Sequence, residues 1–457
     1  MQKTNSIDMT TGAILPKMIR FALPLMASSL LQLLFNAADV AVVGKFCGEA
    51  SLAAVSSNGA LVNLLINLFI GLATGTNVVA ARDFSTKDER ALSDTVHPSM
   101  SVALIAGMLA TLVGIFGARL MLILTQVPDN VLPLATLYLR IYFAGILSTI
   151  VYNFGSALLR AIGDTKRPLY YLMFAGVTNV VLNLVFVIVF HLDVAGVALA
   201  TSISSTLSAI LVVRCLMRET GGIRFIPREL RVNRDKLVQI VRIGLPAGIQ
   251  ATLFSVSNVV IQSSINQFGD IMMSGNGAAS NIEQFGYMGM SAFYQAILSF
   301  SGQCYGRHDY RRVVRVQLVG QLCSAVTGLV FALAVTTLGP QLLWFFTDNP
   351  DVVAAGMIRF SCIAPFFLLG GMMDGLSGGL RGIGYSFFPM ITSFFGVCLL
   401  RLVWVATIFQ IPEFHNIQTI YYSYPTTWSI CILVNGVIFA LLLRRLIKKS
   451  KTDGVGA

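Results

Sequence analysis

The chain has 457 residues, of which 55% are hydrophobic and only 12% charged, with a formal net charge of +11. Soluble globular domains carry about 25% charged residues. The composition therefore excludes an ordinary soluble protein and predicts that a lipid bilayer covers much of the apolar surface.

Transmembrane helices need about 20 predominantly apolar residues each. The first such segment lacks a short apolar region ending in a small-residue cleavage site, so we expect it to be retained and not removed as a signal peptide. The sequence predicts an all-α integral membrane protein with twelve transmembrane helices, in chain order at 18–43, 52–80, 98–124, 131–158, 168–190, 194–217, 240–267, 276–302, 314–346, 352–379, 387–411 and 421–447.

The basic residues favour one orientation of this topology. With a cytoplasmic N-terminus, 27 of the 32 Lys and Arg residues fall on the cytoplasmic side, and only Lys45 lies in an outer loop. This positive-inside pattern predicts a multi-pass protein of the cell membrane with both termini cytoplasmic. The partners expected for the basic loops are lipid headgroups, not nucleic acid.

The chain contains an internal repeat. The sequence Ile-Arg-Phe-Ala-Leu-Pro at 19–24 recurs as Val-Arg-Ile-Gly-Leu-Pro at 241–246, and Leu-Arg-Ala-Ile-Gly at 159–163 recurs at 380–384. Each copy holds six spans, so the copies are predicted to form pseudo-symmetric lobes related by an axis along the membrane normal, as in many transporters. The predicted parts are an N-lobe, a cytoplasmic linker, a C-lobe and a cytoplasmic tail, at 1–217, 218–239, 240–447 and 448–457.

Three acidic residues lie inside predicted spans, namely Asp39, Glu283 and Asp374. A charged side chain at the centre of a bilayer costs at least about 2.5–3.5 kcal/mol, so each is a candidate functional residue. Asn36 precedes Asp39 by one helical turn and shares its helix face.

Further polar residues of the same lobe, Asn179, Asn183 and Thr201, also lie inside spans. With Asp39 they supply oxygen ligands of the kind that bind a proton or a hard cation. The alternative is that these amides and the hydroxyl form interhelical hydrogen bonds, as polar residues commonly do in membrane bundles.

Several segments resemble proteins of the multidrug and toxic compound extrusion (MATE) family, particularly bacterial members from Firmicutes. They are the Asp39 segment ending in Val43-Gly44, Asn179-Val-Val-Leu-Asn183, the stretch at 194–201, Leu-Arg-Ala-Ile-Gly-Asp-Thr-Lys at 159–166, Asn281-Ile-Glu283-Gln-Phe, and Gly-Gln-Cys-Tyr-Gly-Arg at 302–307. The resemblance implies two six-helix lobes and export of drugs or toxic organic cations in exchange for H⁺ or Na⁺.

The resemblance also implies roles for individual residues. The cation-coupling site of the family falls on Asp39, Asn179, Asn183 and Thr201, with Asn36 beside it. Many members have Asp at the position of Asn183, and the missing carboxylate favours H⁺ over Na⁺.

Substrate binding is expected at Asp374, which matches an Asp of the family's second lobe, or at Glu283. Arg401 is expected to pair with one of these acids or to extend towards the membrane surface. We expect a monomer without a metal site, and no cofactor other than the coupling ion. We expect no enzymatic activity, because no catalytic motif is found.

Two other functions are compatible with the sequence. A flippase for lipid-linked oligosaccharides or peptidoglycan precursors belongs to the same superfamily, but its members often have additional spans and basic central cavities. A non-transporting membrane scaffold would leave Asp39 and Asp374 without an explanation. Twelve spans and acidic residues within them favour drug export.

The predicted orientation is testable by single cysteines in a variant without native cysteines. Cysteine at Asn130 or Asn416 should react with an impermeant thiol reagent added to intact cells, because both positions are predicted to be extracellular. Cysteine at Asn233 should react only after the cells are permeabilised. Labelling of the Asn233 position in intact cells would overturn the orientation.

Overall fold

The computed structural model describes residues 6–231 and 233–452. The α-helices are α1 (Ile14–Phe46), α2 (Glu49–Ser85), α3 (Glu89–Leu124), α4 (Leu132–Ala161), α5 (Lys166–Leu184), α6 (Asp193–Arg218), α7 (Arg234–Asn266), α8 (Asp270–Gly306), α9 (Tyr310–Trp344), α10 (Pro350–Ile363), α11 (Phe367–Gly382), α12 (Phe387–Ser393), α13 (Leu400–Ala406) and α14 (Ile417–Thr452). Every predicted span corresponds to one of these helices or to a broken helix. The all-α membrane fold is thus confirmed.

Two of the predicted spans are interrupted. The span predicted at 352–379 consists of α10 and α11, separated by a 3-10 turn at Ala364–Phe366. Pro365 lies in this turn, and proline lacks the N–H that a continuous α-helix needs. The span predicted at 387–411 consists of α12 and α13, joined by a π-helical turn at Phe394–Leu399.

The helix α8 carries several polar residues within its predicted span. Eleven segments of the described chain are apolar and long enough to cross a bilayer, and α8 is not among them. Its middle turns carry the polar residues Asn276, Asn281, Glu283 and Gln284, which lower its hydropathy. Its 37 residues are still long enough to cross a bilayer by length alone.

The backbone repeats the internal symmetry seen in the sequence. Helices α2 and α8 both have 37 residues and begin 221 positions apart. Each follows a glycine in the left-handed region, with φ of 85° at Gly48 and 89° at Gly269. Gly163 and Gly384, at 90° and 88°, repeat the pattern at the same offset. Glycine adopts this conformation without the penalty that a Cβ brings.

The described chain forms two compact units whose boundaries differ from those of the predicted lobes. One unit contains Ala27–Gly248, and the other contains Met9–Met26 together with residues 249–452. The first part of α1 therefore belongs to the second unit. The first part of α7 belongs to the first unit, and α7 itself begins inside the predicted linker.

Close glycine packing explains why the start of α7 belongs to the first unit. Gly71 and Gly75 of α2 face Gly244 and Gly248 of α7 so closely that a Cβ on Gly71 would collide with the backbone of Gly248. Small residues spaced by four allow helix backbones to approach in this way. A salt bridge of 2.5 Å from Lys236 Nζ to Asp83 Oδ2 lies in the same unit.

The start of α1 packs in the second unit through aromatic and polar contacts. The rings of Phe21 and Phe300 meet edge to face at 5.7 Å between centroids. Before the helix, Arg312 Nη2 donates to the carbonyl oxygens of Thr11 and Gly12, at 2.7 Å and 2.9 Å. These contacts are non-local in sequence, which is why the division of α1 could not be read from hydropathy.

The glycine contact predicts a specific loss of stability. In Gly75→Ala the new Cβ would meet the carbonyl oxygen of Ile240, a backbone atom that cannot rotate away. Overpacking of this kind costs about 1–3 kcal/mol, so the thermal unfolding temperature in detergent should fall. Gly277→Ala is the matched control, because a Cβ on Gly277 of α8 meets nothing within 4 Å. Equal stability of both variants would contradict the packing argument.

Candidate cation and ligand site in the first unit

A cavity of about 540 Å³ lies within the first unit, between helices α1, α2, α4, α5 and α6. Pockets that bind small molecules usually measure about 300–1,000 Å³. Its lining is rich in amide and hydroxyl groups, and Asp39 is its single charged residue. The cavity is therefore large enough for an organic molecule and carries one acidic group.

Asp39 is half-buried in the wall of this cavity. The amide nitrogen of Asn183 on α5 donates to Asp39 Oδ1. The hydroxyl of Thr201 on α6 lies 3.5 Å from Asp39 Oδ2. The partners of the carboxylate among the described residues are thus an amide and a hydroxyl, and no basic side chain pairs with it.

Asn179 completes the cluster. Its side chain is buried one turn before Asn183, and its Nδ2 donates to Thr201 Oγ1 at 3.4 Å. Its own Oδ1 accepts a bond of 3.3 Å from Asn183 Nδ2. The structure therefore brings together Asp39, Asn179, Asn183 and Thr201, the residues that the sequence placed in one site.

The hydrogen-bond directions leave room for a proton on Asp39. Thr201 has one hydroxyl proton, and the carbonyl oxygen of Val197, at 3.0 Å, is a closer acceptor for it than Asp39 is. A protonated Asp39 could instead donate to the Thr201 oxygen. Asn183 Oδ1 is buried and has no hydrogen-bond partner in the described part of the chain. The cluster thus offers one anionic group and several neutral oxygens.

Asn36 lies on the same cavity wall but outside this hydrogen-bond cluster. Its side chain is exposed to the cavity. No hydrogen bond joins it to Asp39 among the described residues. The structure places it near the site, as its spacing predicted, without a direct bond to the acid.

Glu283 has a partner that the sequence did not reveal. Arg359 of α10 holds its carboxylate with two hydrogen bonds, Nε to Oε1 at 3.0 Å and Nη2 to Oε2 at 2.6 Å. A third bond of 2.7 Å joins Arg359 Nη1 to Asn276 Oδ1. Glu283 is thus a neutralised carboxylate. The guanidinium occupies both carboxylate oxygens, and substrate binding at Glu283 stays a prediction.

Arg401 does not pair with an acid in the described chain, contrary to one expectation for it. Its guanidinium lies 4.1 Å from the centroid of the Tyr424 ring, a cation–π contact. Its Nε and Nη1 donate to Thr427 Oγ1 and Ser257 Oγ at 3.3 Å and 3.4 Å. It is buried, so it does not extend to the membrane surface either.

Asp374 lies in another polar network of the second unit. The hydroxyl of Tyr287 and the guanidinium of Arg381 both lie close enough to interact with its carboxylate. Arg381 is itself held by Tyr294 Oη at 2.5 Å and Gln250 Oε1 at 2.6 Å. Asp374 is therefore less shielded than Glu283 but not isolated from positive charge.

Sequence reasoning missed other residues of the first-unit cavity. Tyr138 and Tyr142 of α4 line it with nearly parallel rings, 6.2 Å apart. Asn63 and Asn67 of α2 also line it. The amides were detectable as a polar pair one turn apart in an apolar span, whereas the tyrosines had no signal that separated them from packing residues.

Comparisons with known proteins agree with this architecture. A family model described as MatE matches residues 24–185 and again 246–407, one match in each half. The chain belongs to the MatE family, and it is a bacterial multi-pass membrane transporter of this family. The earlier resemblance is confirmed.

Individual relatives cover most of the chain. It is 29% identical over 401 residues to the probable multidrug resistance protein YpnP of Bacillus subtilis (strain 168), which spans 87% of this chain and 89% of the relative. It is 22% identical over 437 residues to the multidrug export protein MepA of Staphylococcus saprophyticus, with 95% of each covered.

Solved structures share the fold. A multidrug resistance MATE family transporter in an outward-facing conformation has a TM-score of 0.90 at 21% identity. The match covers 98% of this chain and 100% of the chain of that transporter. A crystal structure of a MATE protein in a straight conformation has a TM-score of 0.89 at 22% identity, with the same coverage.

The Glu283–Arg359 pair predicts a non-additive effect on stability. Glu283→Met should destabilise the protein by about 3–5 kcal/mol, because it leaves a buried guanidinium without its counter-ion. The double variant Glu283→Met/Arg359→Met should recover much of this loss in thermal unfolding. Glu413→Met, at an exposed acid, is the control. A double variant that is less stable than either single variant would contradict the pairing.

Proposed function

We propose that this protein is a secondary active exporter of amphipathic, often cationic compounds, which it exchanges for H⁺ by alternating access. Relatives named multidrug resistance and multidrug export proteins support this substrate class. The cavity of about 540 Å³, lined by hydrogen-bonding and aliphatic side chains, supports binding of an amphipathic organic molecule.

The observation that carries the coupling proposal is the environment of Asp39. Glu283 is paired with Arg359, and Asp374 lies within electrostatic reach of Arg381. The described contacts of Asp39 are instead an amide and a hydroxyl. A carboxylate without a counter-ion inside a helical bundle is costly, and a proton removes that charge. Asp39 is therefore the coupling residue in this proposal.

The choice of H⁺ over Na⁺ follows from the ligands. Hard cations bind through several oxygens, preferably including carboxylates. The cluster provides one carboxylate, because position 183 is Asn, and the amide nitrogen of Asn183 already occupies one carboxylate oxygen. A proton needs one acceptor. Na⁺ coupling through the neutral oxygens is the alternative.

Coupling requires that the proton affinity of Asp39 differ between the outward-open and inward-open states, since a ligand shifts an equilibrium only by its differential affinity. Exposure to water and hydrogen bonds from Asn183 are the two local factors that set this affinity. Each tenfold difference in affinity is worth about 1.4 kcal/mol. Exchange of one proton for one monovalent cation is electroneutral, so the pH gradient drives it.

Asp374 is the second acid in this proposal. Its carboxylate is not held by two hydrogen bonds from an arginine, in contrast to Glu283. An acid of this kind can still attract a substrate cation in a low-dielectric environment. Asp374 is therefore a better candidate for substrate contact than Glu283, which we assign mainly to holding α8 against α10.

Proteoliposomes test the proposal. Wild-type protein should export a cationic dye under a pH gradient alone and not under a Na⁺ gradient alone, because protonation of Asp39 is the driving event. Asp39→Asn should still bind the dye at equilibrium but fail to export it against its gradient, since the amide cannot take up the proton. Asp129→Asn, at an exposed acid, is the control and should export normally.

Two outcomes would contradict the proposal. Export under the Na⁺ gradient alone would assign Na⁺ to the site. Full export by Asp39→Asn under the pH gradient would remove Asp39 from the coupling step and transfer that role to Asp374.

A further inference from the structure

Four amide side chains line the first-unit cavity in two pairs. Gln32 and Asn36 lie on α1, and Asn63 and Asn67 lie on α2. Residues four apart in a helix are neighbours on one face. We call these four residues the amide edge. Gln32, Asn36 and Asn63 are exposed and Asn67 is half-buried.

The amide edge differs from the other amides of the cavity in its hydrogen bonding. Asn58 donates to the carbonyl oxygens of Ala54 and Ala135 at 2.8 Å and 3.2 Å, and Asn153 donates to that of Thr149 at 2.9 Å. The four members of the amide edge make no hydrogen bond to another described residue. Each therefore presents two donors and one acceptor oxygen to the cavity.

Structural roles do not account for this arrangement. Polar residues that join membrane helices do so by hydrogen bonds across the interface. Here the amides of α1 and α2 line a cavity, and among the described residues they bond to neither helix. Polar groups at this depth of a bundle are expensive unless water or a ligand satisfies them. The amide edge is thus available for recognition without the loss of an existing contact.

The same helix supplies an apolar surface beside the amides. Val62, Ile66 and Ile70 of α2 line the cavity at intervals of four residues, next to Asn63 and Asn67. A molecule in this cavity meets hydrogen-bonding groups and branched aliphatic groups at neighbouring positions of one wall. This arrangement of polar and apolar groups matches an amphipathic ligand whose polar part carries several hydrogen-bonding groups.

We propose that the amide edge selects substrates with a hydroxyl- or amide-rich polar part, such as alkylated amino polyols and glycoside-like amines, over cations that are apolar throughout. The oxygen and the NH₂ group of one amide together match a pair of neighbouring hydroxyls, each of which donates and accepts. This inference rests on the proposed export of amphipathic cations and specifies the chemistry of their polar part.

Asp39 is not required for this selection. It lies on α1 beyond Asn36, and its described partners are Asn183 and Thr201. Loss of proton coupling and loss of polyol selection are therefore separable. A binding measurement without any ion gradient reports on the second alone.

A matched pair of ligands tests the inference by titration calorimetry. N-butyl-1-deoxynojirimycin is a polyhydroxylated piperidine, and N-butylpiperidine has the same ring and alkyl chain without hydroxyls. Both are monocations at an acidic pH. The protein is placed in lipid nanodiscs, because maltoside detergents carry hydroxyl groups that would compete. Wild-type protein should bind the polyhydroxylated amine at least about tenfold more tightly, equivalent to one or two net hydrogen bonds.

Variants assign the preference to the amide edge. In Asn63→Leu/Asn67→Leu the ratio of the affinities for the two amines should fall by about tenfold, while the affinity for N-butylpiperidine stays equal or rises. Gln32→Leu on α1 is a second, independent variant in case the double variant folds poorly. Asn130→Leu, in the loop before α4, is the matched control and should keep the preference. Asp39→Asn should also keep it, even where export fails.

The inference is overturned if wild-type protein binds the two amines equally or prefers N-butylpiperidine. It is also overturned if both the α2 double variant and Gln32→Leu fold normally and keep the wild-type preference. Weaker binding of both amines by the same factor would show that these residues shape the cavity without selecting hydroxyl groups, and would overturn it as well.

Discussion

The hydrogen bond from Asn183 to Asp39 is the interaction on which the site in the first unit depends. It fixes an acidic side chain of α1 against α5 without neutralising its charge. A basic partner would neutralise the carboxylate with a fixed counter-ion, as Arg359 does for Glu283. An amide leaves the carboxylate free to change its protonation state. The rest of the cluster, Asn179 and Thr201, supports the amide and supplies neutral oxygens.

The three intramembrane acids thus show three levels of compensation. Glu283 is held by two hydrogen bonds from one guanidinium, Asp374 lies near a tyrosine hydroxyl and an arginine, and Asp39 contacts an amide and a hydroxyl. Breaking a buried ion pair is strongly destabilising, so Glu283 is suited to a structural task. The least compensated acid, Asp39, is the coupling residue in our proposal. The degree of compensation by neighbouring groups, and not burial alone, distinguishes the coupling candidate from the other two acids.

The cavity beside Asp39 combines two kinds of surface that the same two helices provide. Amides of α1 and α2 remain without described partners, and aliphatic residues of α2 lie next to them. Charge, hydrogen-bonding capacity and apolar area are therefore offered at different positions of one wall. Recognition of an amphipathic molecule and control of a proton can then involve neighbouring but distinct residues.

The sequence by itself determined the class of the protein. Composition, the length of the apolar segments and the repeat at an offset of 221–222 residues predicted the twelve spans and their two copies, because these features are local or periodic. The positions of Asp39, Asn179, Asn183 and Thr201 also followed from motifs in the sequence, and the structure brings these residues together.

Only the tertiary structure decided which acids are paired and where the units divide. Arg359 and Glu283 are separated by 76 residues, and nothing in their local sequence joins them. The start of α7 belongs to the first unit because its backbone packs directly against Gly71 and Gly75 of α2. This contact joins two helices that are far apart in the chain. Hydropathy and motifs report what each segment is made of. Pairing and packing depend on which segments meet, and that is set by long-range contacts.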